Sequence, residues 1–258
     1  VSVALASAPK LLVVAESAAD ARFVRSVLFK YLTGLIDCWS ADSEPDEEHY
    51  AHADVQLASF TWAGNESAEY LDVHGLDELH KHHVRRKRFG NFGGAARQPD
   101  ELQFLKLFDL VQRLSENNGP CVILVARDTD NDMRRCDGLT SAAARFDGLQ
   151  LVRAWAHTKI EAWKLLGAQS SAENLNAVKA EIGFDPREQP HRLTPADENA
   201  PKNAKRVYSA LGSSTTLDEP WSRIDWSELR QRGKDCLFAD FLDDVDAVVC
   251  PLLGHAGS

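Results

Sequence analysis

The sequence predicts an α/β fold, a mostly parallel sheet flanked by helices with an α-rich C-terminal extension, and three observations predict it. Short purely apolar runs, Leu11–Ala15 and Val122–Ala126, have the length of buried strands. Each is followed by a segment with helical spacing, and the middle of the chain repeats strand, helix, strand. With 258 residues and 44% hydrophobic side chains, the chain can enclose a substantial core. Disorder is excluded on that composition, and no apolar run approaches the roughly 20 residues that span a bilayer.

Leu11–Ala15 ends abruptly at Glu16-Ser17, after which Phe23, Val24, Val27, Leu28, Tyr31 and Leu32 recur at helical spacing. Val55–Trp62 reads as a second strand stopped by Gly64-Asn65. Residues 72–99, with the His80-Lys-His-His83 and Arg85-Arg-Lys-Arg88 runs and Gly90-Asn-Phe-Gly-Gly94, read as a polar loop or short basic helix and then a flexible loop. Pro99-Asp100 opens an amphipathic helix with Phe104, Leu107, Phe108, Val111 and Leu114 on one face, and Asn117-Asn-Gly-Pro120 breaks it. Val122–Ala126 is the cleanest buried strand. Beyond it come a helix near Ser141–Phe146, a strand over Leu149–Ala156 and a helix over Lys159–Leu166. After Gly183 the sequence is rich in Pro, Asn and charge, then gives helices near Lys205–Leu211 and Phe238–Val249. The expected division is a catalytic domain over 1–168, with a basic insertion around 72–99, and an α-helical extension over 169–258.

Charge bears on partners. There are 29 basic and 39 acidic residues, a net −10, which disfavours a chain that coats nucleic acid through its average field. The distribution is uneven: residues 37–48 hold six acids and no base, whereas 79–99 hold Lys81, Arg85, Arg86, Lys87, Arg88 and Arg97 with no acid. That basic stretch, with Phe89 and Phe92 available for stacking, is either a nucleic-acid contact or a solvated loop. Five widely spaced cysteines form no CxxC pair, and no leader with a charged start and apolar centre is visible, so the expectation is a cytoplasmic chain with free thiols.

In open α/β sheets, ligands collect beyond the carboxyl ends of strands, where loops vary without disturbing the core. Glu16 and the Asp128/Asp130/Asp132 group stand at such ends. Hard oxygen donors converging from two strands suit Mg²⁺ or Mn²⁺. Ser17-x-x-Asp20 also fits a capping box, so Asp20 has two readings, helix cap and metal ligand. An EF-hand is excluded, because Met133 stands where that loop needs glycine and Leu139 where it needs a bidentate acid. No GxxxxGK[ST] or GxGxxG phosphate loop is present. His80, His82 and His83 lack a rigid metal-ligand spacing, and His157 reads as structural or substrate-facing.

An apolar strand ending in Glu16 with an acid at Asp20, then a second apolar strand ending in Asp128-x-Asp130, resembles the Toprim catalytic domain of topoisomerases, primases and overcoming-lysogenization-defect (OLD) nucleases. Within that superfamily the chain is similar to small stand-alone Toprim-like proteins, some encoded beside ATPases in bacterial defence operons. Lys159-Ile-Glu-Ala-Trp163, Gly183-Phe-Asp-Pro186 and Lys205-Arg206 extend the likeness. Ser17 replaces the glycine that usually follows the first glutamate, and the span from Glu16 to Asp128 is long. The resemblance implies an Mg²⁺- or Mn²⁺-dependent nuclease, with DNA favoured over RNA, an ATPase partner and a role in anti-phage defence. It implies that Glu16 acts as general base or ligand, that Asp128 and Asp130 hold one ion, that Asp20 and Glu161 hold a second, and that Asp132 is a spare ligand. The competing expectations are a nucleic-acid or protein-binding module that does not cleave, and a phosphotransferase or phosphatase using the same acids.

Overall fold

A computed structural model of the chain describes residues 10–39, 70–83, 97–115, 121–195, 197–212 and 225–252. Its centre is a four-stranded, all-parallel sheet in the order β2-β1-β3-β4, built from β1 (Lys10–Ala15), β2 (Leu71–Asp72), β3 (Cys121–Asp128) and β4 (Gln150–Ala156). Both faces of β1 and β3 are covered, which is why these strands read as continuous apolar runs rather than as alternating patterns.

Side-chain alternation sorts the core into two layers. Leu11, Val13 and Ala15 of β1 and Val122, Leu124 and Ala126 of β3 face α1 (Ala18–Trp39) and other helices of one layer, while Leu12, Val14, Ile123 and Val125 face the opposite layer. That second layer contains α2 (Leu76–His83), α3 (Glu101–Ser115) and α4 (Arg134–Ala143). The expected amphipathic helix after Pro99-Asp100 is α3, with Phe104, Leu107 and Phe108 fully buried. Residues of the expected basic insertion are partly structural. Asp72 ends β2, and Val73 and Leu76 are buried in the second layer, because their apolar side chains follow Leu71 into the core. The expected strand at 55–62 and the Arg85–Arg88 run lie outside the described residues.

Among the described residues, five further helices follow: α5 (Ile160–Leu166), α6 (Ala172–Ile182), α7 (Ala204–Ala210), α8 (Trp226–Arg232) and α9 (Phe238–Leu252). Core packing runs across the boundary expected at residue 168. Phe238, Phe241, Leu242, Val245 and Val249 of α9 pack with Trp163 of α5 and with β1, β3 and β4 in the first layer. Trp163 stands edge-on to Phe238 with ring centroids 5.1 Å apart, and its Nε1–H donates to the Cys236 carbonyl at 2.7 Å. Aromatic packing of this kind, with the indole N–H satisfied, is what holds a large buried ring in one pose. Among the described residues, α6 and α7 form a satellite around Leu165, Val178, Ile182, Phe184, Val207 and Leu211. Ser171 caps α6 by accepting from the Asn174 N–H, and Gly183 closes it at φ 84°, a conformation that a Cβ would strain.

The exposed side of β4 is blunted. The Arg153 N–H donates to Asp244 Oδ2 at 2.9 Å, and the Arg153 guanidinium pairs with the same carboxylate at 2.6 Å. The His157 N–H donates to the Cys236 carbonyl at 3.2 Å. Edge donors that would otherwise recruit another strand are thus satisfied from α9 and the turn before it. No helix among the described residues is long and apolar enough to cross a membrane.

Candidate active site

The path of the chain places the site. From β1 the chain leaves through α1 in the first layer, whereas from β3 it leaves through α4 in the second and goes on to β4. Adjacent strands whose connections depart to opposite sides open a crevice at their carboxyl ends, the usual ligand position in open parallel sheets. Glu16 follows β1, and Asp128 ends β3, at that crevice. A small cleft there is lined by Glu16, Asp20, Ala126, Arg127, Asp128 and Ile160.

Register explains which groups meet. Val14 pairs with Val125, so Glu16 falls beside Arg127, and both point to the second layer. Arg127 Nε lies 3.3 Å from Glu16 Oε1, but neither atom makes a hydrogen bond, and both are buried. Asp128 points to the first layer, where its Oδ1 accepts from the Ile160 N–H at 2.8 Å and its Oδ2 from Lys159 Nζ at 3.2 Å.

An unbroken series of alternating charges runs through the site. From Glu16 and Arg127 it passes to Asp100 (Arg127 Nη2 to Oδ1, 3.2 Å), then to Arg135 (3.6 Å), Asp130 (3.1 Å), Lys159 (2.8 Å) and Asp128. Arg135 also donates to the Asp128 carbonyl at 3.1 Å, bracing the turn after β3. Asp100 and Asp130 have positive φ, 61° and 50°, which Asp tolerates better than most residues. The ion pairs hold both in that conformation.

Burial pushes the Asp128 carboxyl up to about 7, outweighing the pull of Lys159 and the Ile160 N–H, and the Glu161 charge pushes the same way. Burial opposes charge on Lys159 too, but its hydrogen bond to Asp130 and the Asp128 charge win and hold its pKa above the usual lysine range. Desolvation and the facing His191 lower His157, whose Nδ1 is 3.1 Å from Thr129 Oγ1.

Of the residues singled out in the sequence, Glu16, Asp20 and Asp128 share the cleft. Asp20 takes the Ser17 Oγ–H at 2.6 Å while its own N–H donates to Ser17 Oγ at 3.2 Å, so the helix-cap reading holds in the structure. Glu161 stands on the first turn of α5 with Oε2 buried and without a hydrogen bond. Asp130 does not line the cleft and is spanned by Lys159 and Arg135. Asp132 is turned away. Its carboxylate grips the Arg134 guanidinium and accepts the Arg134 N–H at 3.1 Å, because the left-handed turn at Asp130 and Asn131 ends the strand alternation before it. Lys81 is exposed on α2, and Arg97 begins the segment leading into α3. His80 is buried against Asp109 at 3.1 Å, which commits that ring nitrogen to packing α2 on α3.

Asp100, Arg127, Arg135 and Lys159 are the site residues that reading the strand-end acids alone misses. Their partners come from other elements, and the one local signal was Lys159 beside Ile160 and Glu161. Among the described residues no three His, Cys, Asp or Glu side chains form a ready metal cluster. The donor set nevertheless suits a hard cation: three carboxylates line one cleft, and the buried oxygens Glu16 Oε1 and Glu161 Oε2 have no hydrogen bond. No protein-family model matches the chain, and no characterised protein or solved structure matches it.

Proposed function

We propose that this chain is an Mg²⁺- or Mn²⁺-dependent nuclease of the Toprim type, acting at the cleft between the carboxyl ends of β1 and β3. The observation that supports it is the meeting of Glu16, Asp20 and Asp128 at the point where the sheet's connections diverge. A divalent ion held by Glu16 and Asp128, with Asp130 once Lys159 yields it, would polarise a phosphodiester and stabilise the charge that develops on it. Glu16, whose Oε1 is buried beside Arg127, keeps its other oxygen either as ligand to that ion or as acceptor of the proton of the attacking water. Arg135 keeps the Asp128–Asp130 turn in place, and Arg127 orients Glu16 from within the core. The Ile160 N–H fixes one oxygen of Asp128, leaving the other to face cations.

A second reading has its own support. Glu16, Asp128 and Asp130 are each paired with a cation of the protein, as suits a binding module that cleaves nothing. Incubating the protein with supercoiled plasmid and with tRNA, with Mn²⁺ and with EDTA, decides between them. Nicking or cleavage only with Mn²⁺ is expected. Retention of either nucleic acid without cleavage in any metal would overturn the nuclease and leave the binding module.

Asp20 supplies a quantitative check. As a cap alone, Asp20→Asn costs about 1 kcal/mol or less. As a carboxylate of the cleft, it lowers kcat at least tenfold and raises the Mn²⁺ needed for half-maximal rate, with little change in melting temperature. The second outcome is expected, and an unchanged Mn²⁺ titration would remove Asp20 from the site.

A further inference from the structure

We propose that Arg192, Lys202 and Lys205 form a phosphate-binding track that leads a nucleic-acid strand to the cleft, with Phe184 as the platform for two of them. The proposal rests on the nuclease reading above and assigns its substrate-holding surface.

Phe184 follows the left-handed Gly183 that closes α6, and its ring is buried to 6% exposure among Leu165, Val178, Val207 and Leu211. The Arg192 guanidinium lies over that ring at 4.4 Å from the centroid, and the Lys202 ammonium at 5.7 Å. Both residues are exposed, and among the described residues neither has a carboxylate partner; the Arg192 guanidinium donates to Gln189 Oε1 at 2.6 Å. Neighbouring bases are treated differently. Lys179 and Arg187 pair with Asp185, Arg206 with Glu181, and Arg232 with Glu188. Of the acids nearest in sequence to Lys202, Asp197 turns back to its own loop and accepts the Asn199 N–H. Two long cations are therefore held in place by one aromatic face, with no neutralising acid on them among the described residues. An aromatic ring stabilises a cation without cancelling its charge, so the pair remains available to an anion, and its side chains are already partly ordered. Guanidinium and ammonium groups spaced along a surface suit the repeating phosphates of a nucleic-acid backbone.

Through α7 the track is joined to the helix that follows the cleft. Lys205 lies one turn before Tyr208 on that helix, and Val207 and Leu211 pack with Leu165 of α5. Leu165 is one turn after Glu161 on α5, so the same helix–helix contact that carries Lys205 abuts the helix bearing Glu161 and following the Asp128 contact at Ile160.

The test measures binding of a fluorescent 20-nucleotide single strand and of a duplex, as DNA and as RNA, in Ca²⁺ over a range of salt concentrations. Hydrolysis of bis(p-nitrophenyl) phosphate with Mn²⁺ is followed in parallel. Arg192→Gln, Lys202→Gln and Lys205→Gln together are expected to weaken binding at least tenfold at 100 mM salt, and to flatten the log–log salt dependence by roughly 2–3, since each of the three lost phosphate contacts removes roughly 0.7–0.9. The small diester, which spans no track, should be hydrolysed at the wild-type rate. Lys179→Gln, whose amine is already paired, should leave binding unchanged, and Phe184→Leu should reproduce part of the loss with all charges kept. Wild-type salt dependence in the triple variant, or no binding of any probe by the wild type, overturns the track. Failure of the wild type to hydrolyse the small diester, with the track intact, counts instead against the nuclease reading.

Discussion

Asp128→Asn is expected to abolish metal-dependent cleavage and, in the metal-free protein at pH 8, to raise the melting temperature by several degrees. Burial lifts the folded-state carboxyl to about 7, whereas the unfolded chain has it near the ordinary value of 3.8. Between those values the folded state binds more protons than the unfolded one, so stability falls as pH rises through the window and the full cost is present above it. That cost is roughly 2–4 kcal/mol, and a neutral amide removes it while its oxygen still accepts the Ile160 N–H. Lys159 keeps Asp130 at 2.8 Å, so the replacement does not strand its charge. Thermal melts in EDTA at pH 8, 6 and 4 check the sign: the gain should be largest at pH 8 and vanish near pH 4. A variant that melts below the wild type at pH 8 would mean that the Lys159 pair outweighs desolvation.

Gly138→Ala is expected to damage both the fold and the site, though this glycine does not line the cleft. A Cβ there would sit 2.0 Å from the Pro99 carbonyl oxygen and 3.1 Å from the Glu101 nitrogen, both rigid backbone atoms. Glu101 in turn is pinned by Arg145 at 2.8 Å and by the Gln98 N–H at 3.1 Å, so the segment has little room to retreat. Overpacking of this kind costs about 1–3 kcal/mol. The displaced residue between those contacts is Asp100, the link between Arg127 and Arg135, so kcat should fall by more than the loss of folded protein explains. Gly75, where an added Cβ meets nothing within 4 Å, provides the control: Gly75→Ala should leave melting and turnover unchanged.

Strands β1 and β3 are legible in the sequence because a strand covered on both faces must be apolar throughout, and α3 because half of its surface is core. Helix α4 lies at 134–143 rather than near 141–146. Its N-cap, Met133, makes no side-chain cap bond, and its buried residues are only Gly138, Leu139 and Ala142, so neither a start signal nor a full apolar stripe marks it. Helix α6 buries only Val178 and Ile182. In the site, the positions of Glu16 and Asp128 could be read from where apolar runs stop. The cations that hold them could not, since the Glu16–Arg127 pairing is a matter of strand register and Arg135 reaches Asp100 across 35 positions of chain. Asp132 shows the converse: equal spacing along the sequence has spatial meaning only while the strand lasts, and β3 ends at Asp128.

The packing of α9 against the sheet has a consequence for the order in which the protein can be made. Strands β1, β3 and β4 are complete once synthesis reaches Ala156, and α1 already covers β1 and β3 in the first layer, yet the same face of β4 waits for Phe238, Phe241, Leu242 and Val245. A ribosome adding about 5–20 residues per second leaves that face open to water for several seconds, with the Arg153 N–H of the outer strand still lacking Asp244. Nascent chains stalled before Phe238 should therefore be cut rapidly by protease and held by chaperones, and those stalled well after Leu252 should resist. The last described helix is what lets the outer strand become permanent.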